Sequence, residues 1–186
     1  LNEALISIAS IIYNKIMKTI KYDITAKILH WLSALVILWA TLAGFYMILP
    51  NTEEHIKLQI AELNISITTL FIPIFCFRIL YRITTKAPPD YGLVSTVEIK
   101  MARLMHNFLY ALVTIVLLSG ILMMDRPVSI FGLFQFTQLL DNSNIITSFK
   151  TLHKYSTQLL AICILLHIMA LIKHEISGKK ILRRMI

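Results

Sequence analysis

Three histidines lie near the ends of long apolar segments, and their positions indicate metal-binding chemistry. His153 and His167 are fourteen positions apart in the sequence. On an α-helix this separation is within about 40° of four full turns, so both imidazoles project from one face, about 21 Å apart along the axis. His30 opens a different apolar segment. One helix therefore offers an imidazole near each side of a membrane, and a second helix offers another.

The composition is that of a membrane protein, and four segments are long enough to span a bilayer. The 186 residues are 57% hydrophobic with a mean hydropathy of +0.73, and roughly 20 apolar helical residues cross a hydrocarbon core of ~30 Å. Because lipid cannot satisfy backbone polar groups, we expect an all-α fold, a bundle of four transmembrane helices. A fifth apolar stretch, 127–140, is too short to span and is predicted to be interfacial or re-entrant. The predicted spans are 28–49, 58–80, 104–124 and 155–172.

The basic residues predict the orientation of the bundle. Of the 18 lysines and arginines, 14 lie before the first span, from Arg78 to Arg103, or from Lys173 onward. The positive-inside rule therefore places both termini in the cytoplasm. This distribution explains the net charge of +8 without nucleic acid, which we do not expect the chain to bind. Residues 1–16 are predicted to be an N-terminal extension without defined structure, and residues 17–186 a single transmembrane domain.

Matching the depths of the spans brings three histidines to the cytoplasmic side. At a rise of 1.5 Å per residue, His30 lies roughly 6 Å and His167 roughly 9 Å inside the same face of the bilayer, with His106 at a similar level. A lone intramembrane histidine usually hydrogen-bonds a neighbouring helix, but this matched set favours metal ligation. Zinc usually takes four ligands, and neither side offers a carboxylate or thiolate at the depth of its imidazoles. Haem b needs only axial imidazoles and an apolar slot between helices.

An ordered set of motifs resembles the prokaryotic cytochrome b561 family over about residues 17–186. The resemblance implies a four-helix protein of the bacterial inner membrane that carries electrons through one or two b haems and exchanges them with the quinone pool, ubiquinone being the expected quinone. It also implies either a simple electron carrier or an oxidoreductase, since one member of the family is a superoxide oxidase. The motifs are His-Trp-Leu at 30–32, Arg-x3-Arg-x5-Pro-Pro at 78–89, His-x3-Tyr at 106–110, Gly120 with the Met123–Met124 pair, the His153 and His167 pair, and a tail containing Leu182, Arg184 and Met185.

The resemblance also implies which residues hold the haems. His30 and His167 match the axial pair of an inner haem on the cytoplasmic side, and His153 matches one ligand of an outer haem. The second outer ligand, a histidine in the family, falls at Asn64 in this sequence. Amide oxygen is a poor iron ligand beside imidazole. Three interpretations are open: His55 is recruited, the outer haem is five-coordinate on His153, or the outer site is empty.

Other polar residues at the inner depth have two interpretations each. Arg78 and Arg82 are candidates to pair with the inner haem propionates, or they simply follow the positive-inside rule. His106 is a candidate quinone or proton site, although a helix-packing hydrogen bond is the favoured interpretation.

The sequence leaves room for two rival functions. The chain would serve as the cytochrome b membrane anchor of a larger complex, relaying electrons from a soluble dehydrogenase or hydrogenase-like partner. Alternatively, it would be a transporter or structural protein without haem. No particular protein partner is indicated by the residues.

Overall fold

Four long helices make up most of the chain. The computed structural model describes Ile6 and the ranges 21–50, 52–89 and 94–186, so the predicted extension 1–16 lies, Ile6 apart, outside the described residues. Each helix is long and apolar enough to cross a membrane, which confirms the predicted all-α transmembrane bundle. The helices are α1 (Ile24–Met47), α2 (Glu54–Thr84), α3 (Thr96–Leu122) and α4 (Ser143–Ile176).

Three of the helices extend well beyond the predicted apolar spans. The helix α4 has 34 residues and begins at Ser143, three turns before the start of its predicted span at Tyr155. At 1.5 Å per residue it is about 51 Å long, against a hydrocarbon core of ~30 Å. The extent of a charge-free segment predicts only the part of a helix that lies inside lipid. Polar turns outside the lipid are also helical, so the helices are longer than the predicted spans.

The helices form two antiparallel pairs around a small apolar core. The helix α1 packs mainly on α2, and α3 packs mainly on α4. Many large apolar side chains on the outside of the spans, such as Leu35, Leu80 and Leu165, are exposed, as expected for surfaces that face lipid. The core between the pairs consists of Phe71, Phe75, Leu112, Val113, Leu160 and Cys163.

Residues 127–140, predicted to be interfacial or re-entrant, contain a β-hairpin that docks on α2. Strands β1 (Val128–Ile130) and β2 (Phe134–Phe136) pair antiparallel around a turn with positive φ at Phe131 and Gly132. The backbone N–H of Phe131 donates to the hydroxyl of Ser66, 3.0 Å away, and Ser66 is only 2% exposed. We call this end of the bundle the hairpin end.

Replacing Ser66 with alanine is expected to loosen the hairpin. The substitution leaves the Phe131 N–H without its acceptor at a partly buried contact, and the loss of such a hydrogen bond costs roughly 0.5–1.5 kcal/mol. Faster hydrogen exchange at the Phe131 amide and a lower melting temperature in detergent would report the loss. In the control Thr41→Val, the removed hydroxyl donates only to a carbonyl of its own helix, so hairpin exchange should not change. Equal exchange at Phe131 in Ser66→Ala and the wild type would contradict this docking role.

The opposite end, which we call the terminal end, is closed by the C-terminal segment. The Tyr22 N–H donates to the Arg184 carbonyl at 3.0 Å, and the Trp31 indole N–H donates to the Met185 carbonyl at 2.9 Å. The Arg184 side chain, 8% exposed, donates to the Pro88 carbonyl at 2.8 Å. The segment therefore joins the start of α1 to the connection between α2 and α3.

Asp23 caps α1 and joins it to α2 at the terminal end. Its Oδ1 accepts the Ala26 N–H at 3.0 Å and the Tyr81 hydroxyl at 2.7 Å. The Ala26 N–H, and then Tyr81, hold the pKa of Asp23 below its ordinary value. A lowered folded-state pKa means that the stabilisation is complete above the ordinary aspartate pKa and is lost as the pH falls through the folded-state value.

We expect Asp23→Ala to lower the free energy of unfolding by about 1 kcal/mol, the usual effect of losing an N-cap. Asp23→Asn should retain most of the cap and lose the acid sensitivity that comes from this residue. Thermal inactivation in detergent between pH 3 and pH 7 measures both effects. A wild-type acid profile identical to that of Asp23→Asn would show that the Asp23 charge does not contribute.

Candidate functional site

The helices α1, α3 and α4 bring three histidines together near the terminal end, and an arginine of the remaining helix, α2, joins them. The rings of His106, on α3, and His167, on α4, are in contact, with centroids 5.3 Å apart. On α1, the Nδ1 of His30 lies 3.1 Å from a guanidinium nitrogen of Arg78, which belongs to α2. The His30 and His167 side chains lie close enough for a charge on one to affect the other. We call these four residues the inner cluster.

Arg78 and Arg82 lie one helical turn apart on α2 and share one aromatic neighbour. Their guanidinium carbons lie 5.1 Å and 4.3 Å from the centre of the Tyr110 ring on α3. Phe75, one turn before Arg78, stacks on the same ring with a centroid distance of 5.7 Å. The i, i+4 spacing on α2 therefore places both cations on the face that meets Tyr110.

Near the hairpin end, His153 is held by groups of α3. Its Nδ1 lies 3.1 Å from the Val116 carbonyl and 3.2 Å from the Ser119 hydroxyl. A carbonyl only accepts, so this contact places the ring proton on Nδ1 and leaves the Nε2 lone pair available as a metal ligand. A Cβ added at Gly120 would lie 3.3 Å from the His153 ring, so glycine allows this close approach.

Asn64 occupies the corresponding depth on α2. It precedes Arg78 by the same number of positions as His153 precedes His167. The helices α2 and α4 run in the same direction, and Arg78 and His167 both belong to the inner cluster. Equal spacing therefore brings Asn64 level with His153. Within the described part of the chain, Asn64 Oδ1 is buried without a hydrogen-bond partner. An unsatisfied buried amide oxygen is costly, which marks this position as unusual.

The structure does not bring His55 to this position. Its side chain is 66% exposed and lies 3.2 Å from the Glu53 carboxylate. His55 lies in the first turn of α2, nine positions before Asn64. That separation is about 2.5 helical turns, so the two side chains project from opposite faces, about 13 Å apart along the axis.

Comparison with known proteins identifies the family. A family model described as prokaryotic cytochrome b561 matches residues 21–186. The chain belongs to the prokaryotic cytochrome b561 family. It is also similar to "Cytochrome b561 homolog 2" of Escherichia coli (strain K12), with 26% identity over 171 residues, which cover 89% of this chain and 91% of that protein. The protein is therefore a multi-pass bacterial membrane protein that functions in electron transfer, and membership of this family implies that it binds haem b.

The donor set fits the haem of a cytochrome b561-family protein better than a bare metal ion. Among the described residues, no group of three or more histidine, cysteine, aspartate or glutamate side chains is arranged to hold a metal ion. The inner cluster instead offers imidazoles from α1 and α4, which suits axial coordination by two ligands. At the hairpin end the donors are one imidazole with a fixed tautomer and one buried amide oxygen.

Sequence reasoning missed the groups that support these histidines. It identified Gly120 as part of a motif, but not its contact with His153, nor the roles of Val116 and Ser119. A serine next to glycine within an apolar span was the available signal, because such small residues allow close helix contact. The bond between Arg78 and His30 had no local signal, because the two residues are far apart in the sequence and lie on different helices.

Proposed function

We propose that this protein exchanges electrons between a haem b held by His30 and His167 and the quinone pool of the bacterial inner membrane, with ubiquinone as the quinone. The observation that carries the proposal is the gathering of imidazoles at one end of the bundle, where His30 lies 3.1 Å from Arg78 and the His167 ring contacts that of His106. Both termini are proposed to face the cytoplasm, in accord with the basic residues.

The haem supplies a one-electron carrier, and the protein residues hold it and control its surroundings. Two imidazole ligands favour a six-coordinate, low-spin iron that changes little during electron transfer. For His30 to ligate through Nε2, its Nδ1 must carry the proton, whereas in the structure Arg78 donates to that atom. With haem held by His30, Arg78 would instead pair with a propionate carboxylate.

His106 is proposed to orient His167 rather than to bind iron. The contact between the two rings, at 5.3 Å, supports this packing interpretation. An imidazole that is held in place loses less conformational freedom on binding iron. Proton supply to quinone from His106 is the alternative, and it predicts that His106→Phe slows quinol formation without changing the haem spectrum.

The experiment that tests the proposal starts from the purified, haem-loaded protein. The chain is reduced with dithionite, freed of excess reductant without oxygen, and mixed with a short-chain ubiquinone. Loss of the reduced α-band is expected, with one quinone reduced to quinol for every two electrons delivered. A reduced band that persists in excess quinone would overturn the quinone assignment.

The same preparation separates the proposal from its rivals. If superoxide is the electron donor, a superoxide source should reduce the haem, and superoxide dismutase should prevent the reduction. If the chain is instead an anchor subunit, a soluble partner should co-purify at fixed stoichiometry and reduce the haem with its own substrate. Absence of a Soret band would remove all haem-based functions.

A further inference from the structure

An open groove lies between α2 and α3, beside the inner cluster. Its volume is about 360 Å³, within the range of small-molecule sites. Ile79 and Ile83 of α2 and Ala111 of α3 provide apolar walls, while Arg82, Asn107 and Tyr110 provide polar groups. Both helices are membrane-spanning, so the mouth of the groove faces lipid.

The polar groups of the groove are mutually ordered. A guanidinium nitrogen of Arg82 donates to Asn107 Oδ1 at 2.6 Å, and the Arg82 guanidinium lies over the Tyr110 ring at 4.3 Å. Since the Asn107 oxygen is engaged, its amide nitrogen presents two further donor hydrogens. The groove therefore combines aliphatic walls with guanidinium, amide and phenol donors, which suits an apolar molecule with carbonyl acceptors.

The groove is also connected to the inner cluster through side-chain contacts. The Tyr110 ring that contacts Arg82 also contacts Arg78, at 5.1 Å, and Arg78 hydrogen-bonds His30. On α3, Asn107 directly follows His106, whose ring contacts His167. The groove thus lies next to residues that neighbour the inner cluster, with Tyr110 in contact with Arg78 and Asn107 adjacent in sequence to His106.

We propose that this groove is the quinone-binding site of the protein. A quinone carbonyl accepts hydrogen bonds from Arg82 and Asn107, which lie side by side in the groove, and the isoprenoid tail follows the isoleucine side chains into lipid. The inference rests on the proposed function, because it supplies the quinone site of that reaction. An anionic phospholipid is the competing ligand, but its phosphate would need only a cation and makes no use of the Asn107 amide.

Two substitutions test the groove in different ways on the haem-loaded protein. Asn107→Leu removes the amide, and Ala111→Trp fills the groove from a wall position on α3. Both should weaken equilibrium binding of short-chain ubiquinone by at least tenfold and slow oxidation of the reduced haem at low quinone concentration. Haem content and the reduced spectrum should be those of the wild type.

Matched controls are present in the same chain. Leu118→Trp adds the same ring two turns further along the same side of α3, where Leu118 is exposed. Asn144→Leu repeats the amide loss at the hairpin end of α4. Both controls should bind quinone as the wild type does.

The outcomes separate the groove from the proposed function. If wild-type haem is not oxidised by quinone, the proposed function fails. If it is oxidised, but Asn107→Leu and Ala111→Trp bind quinone normally, the groove assignment is overturned while the function stands. If the two variants instead lose only co-purifying phosphatidylglycerol, the groove is a lipid site and the assignment is equally overturned.

Discussion

His30→Ala and His167→Ala are each expected to abolish the inner haem. The inner haem would be held by imidazoles from two different helices, and either substitution removes one of its two bonds to the protein. A pyridine haemochrome assay on purified protein should show one haem fewer per chain. The remaining spectrum should lack the low-spin signal of a bis-imidazole haem.

Two further variants distinguish a lost ligand from a lost fold. His174→Ala removes another histidine at the terminal end, 3.9 Å from Glu98, and should keep full haem content. His30→Gly grown or purified with free imidazole should recover the inner haem, because the small ligand fills the space of the side chain. Full inner haem in His30→Ala would show that His30 is not the ligand, and failure of imidazole rescue would attribute the loss to misfolding.

The transmembrane framework was predictable because lipid imposes a simple rule on composition. In a chain of this hydropathy, long charge-free segments such as 28–49 are expected to form transmembrane helices, and the four spans follow from them. The position of His30 and His167 toward the same end of the bundle followed from depth alone, since helical rise is fixed at about 1.5 Å per residue. Neither inference needed a particular side-chain contact.

The parts that escaped prediction depend on individual contacts between distant residues. The hairpin over 128–136 docks on α2 through a hydrogen bond from the Phe131 N–H to the Ser66 hydroxyl. Apolar composition does not reveal such a bond. Closure of the terminal end by Arg184 likewise rests on backbone carbonyls of Pro88 and its neighbour, which no sequence pattern encodes. Arg78 was predicted at the correct depth, but its rotamer, and so its bond to His30, is set by packing.

Only the family pattern reveals that Asn64 stands where a histidine is expected, and the structure adds a physical reason to examine this position. Composition alone presents Asn64 as one more polar residue within α2. Its Oδ1 is buried without a partner among the described residues, and it lies level with His153. Asn64 is therefore the position at which to test whether an outer haem can be coordinated. The exposed His55 lies on the opposite face of α2 and does not replace it.

Asn64→His is therefore expected to give two low-spin haems per chain, against one in the wild type. The substitution places an imidazole as far before Arg78 as His153 lies before His167 on the parallel helix α4, so the outer iron gains its second nitrogen ligand. Haemochrome analysis gives the count, and electron paramagnetic resonance reports spin state. Adding His153→Ala should return the protein to one low-spin haem.

The wild-type measurement at the same time decides between the remaining outer-site interpretations. A high-spin haem that disappears in His153→Ala means five-coordinate iron on His153, whereas one haem per chain with no high-spin signal means an empty outer site. In either case Asn64→His should add a low-spin haem, because the Nδ1 of His153 is fixed by Val116 and its Nε2 lone pair is available to iron. An unchanged haem count and spin state in Asn64→His would show that α2 does not present this position to the ligand of α4.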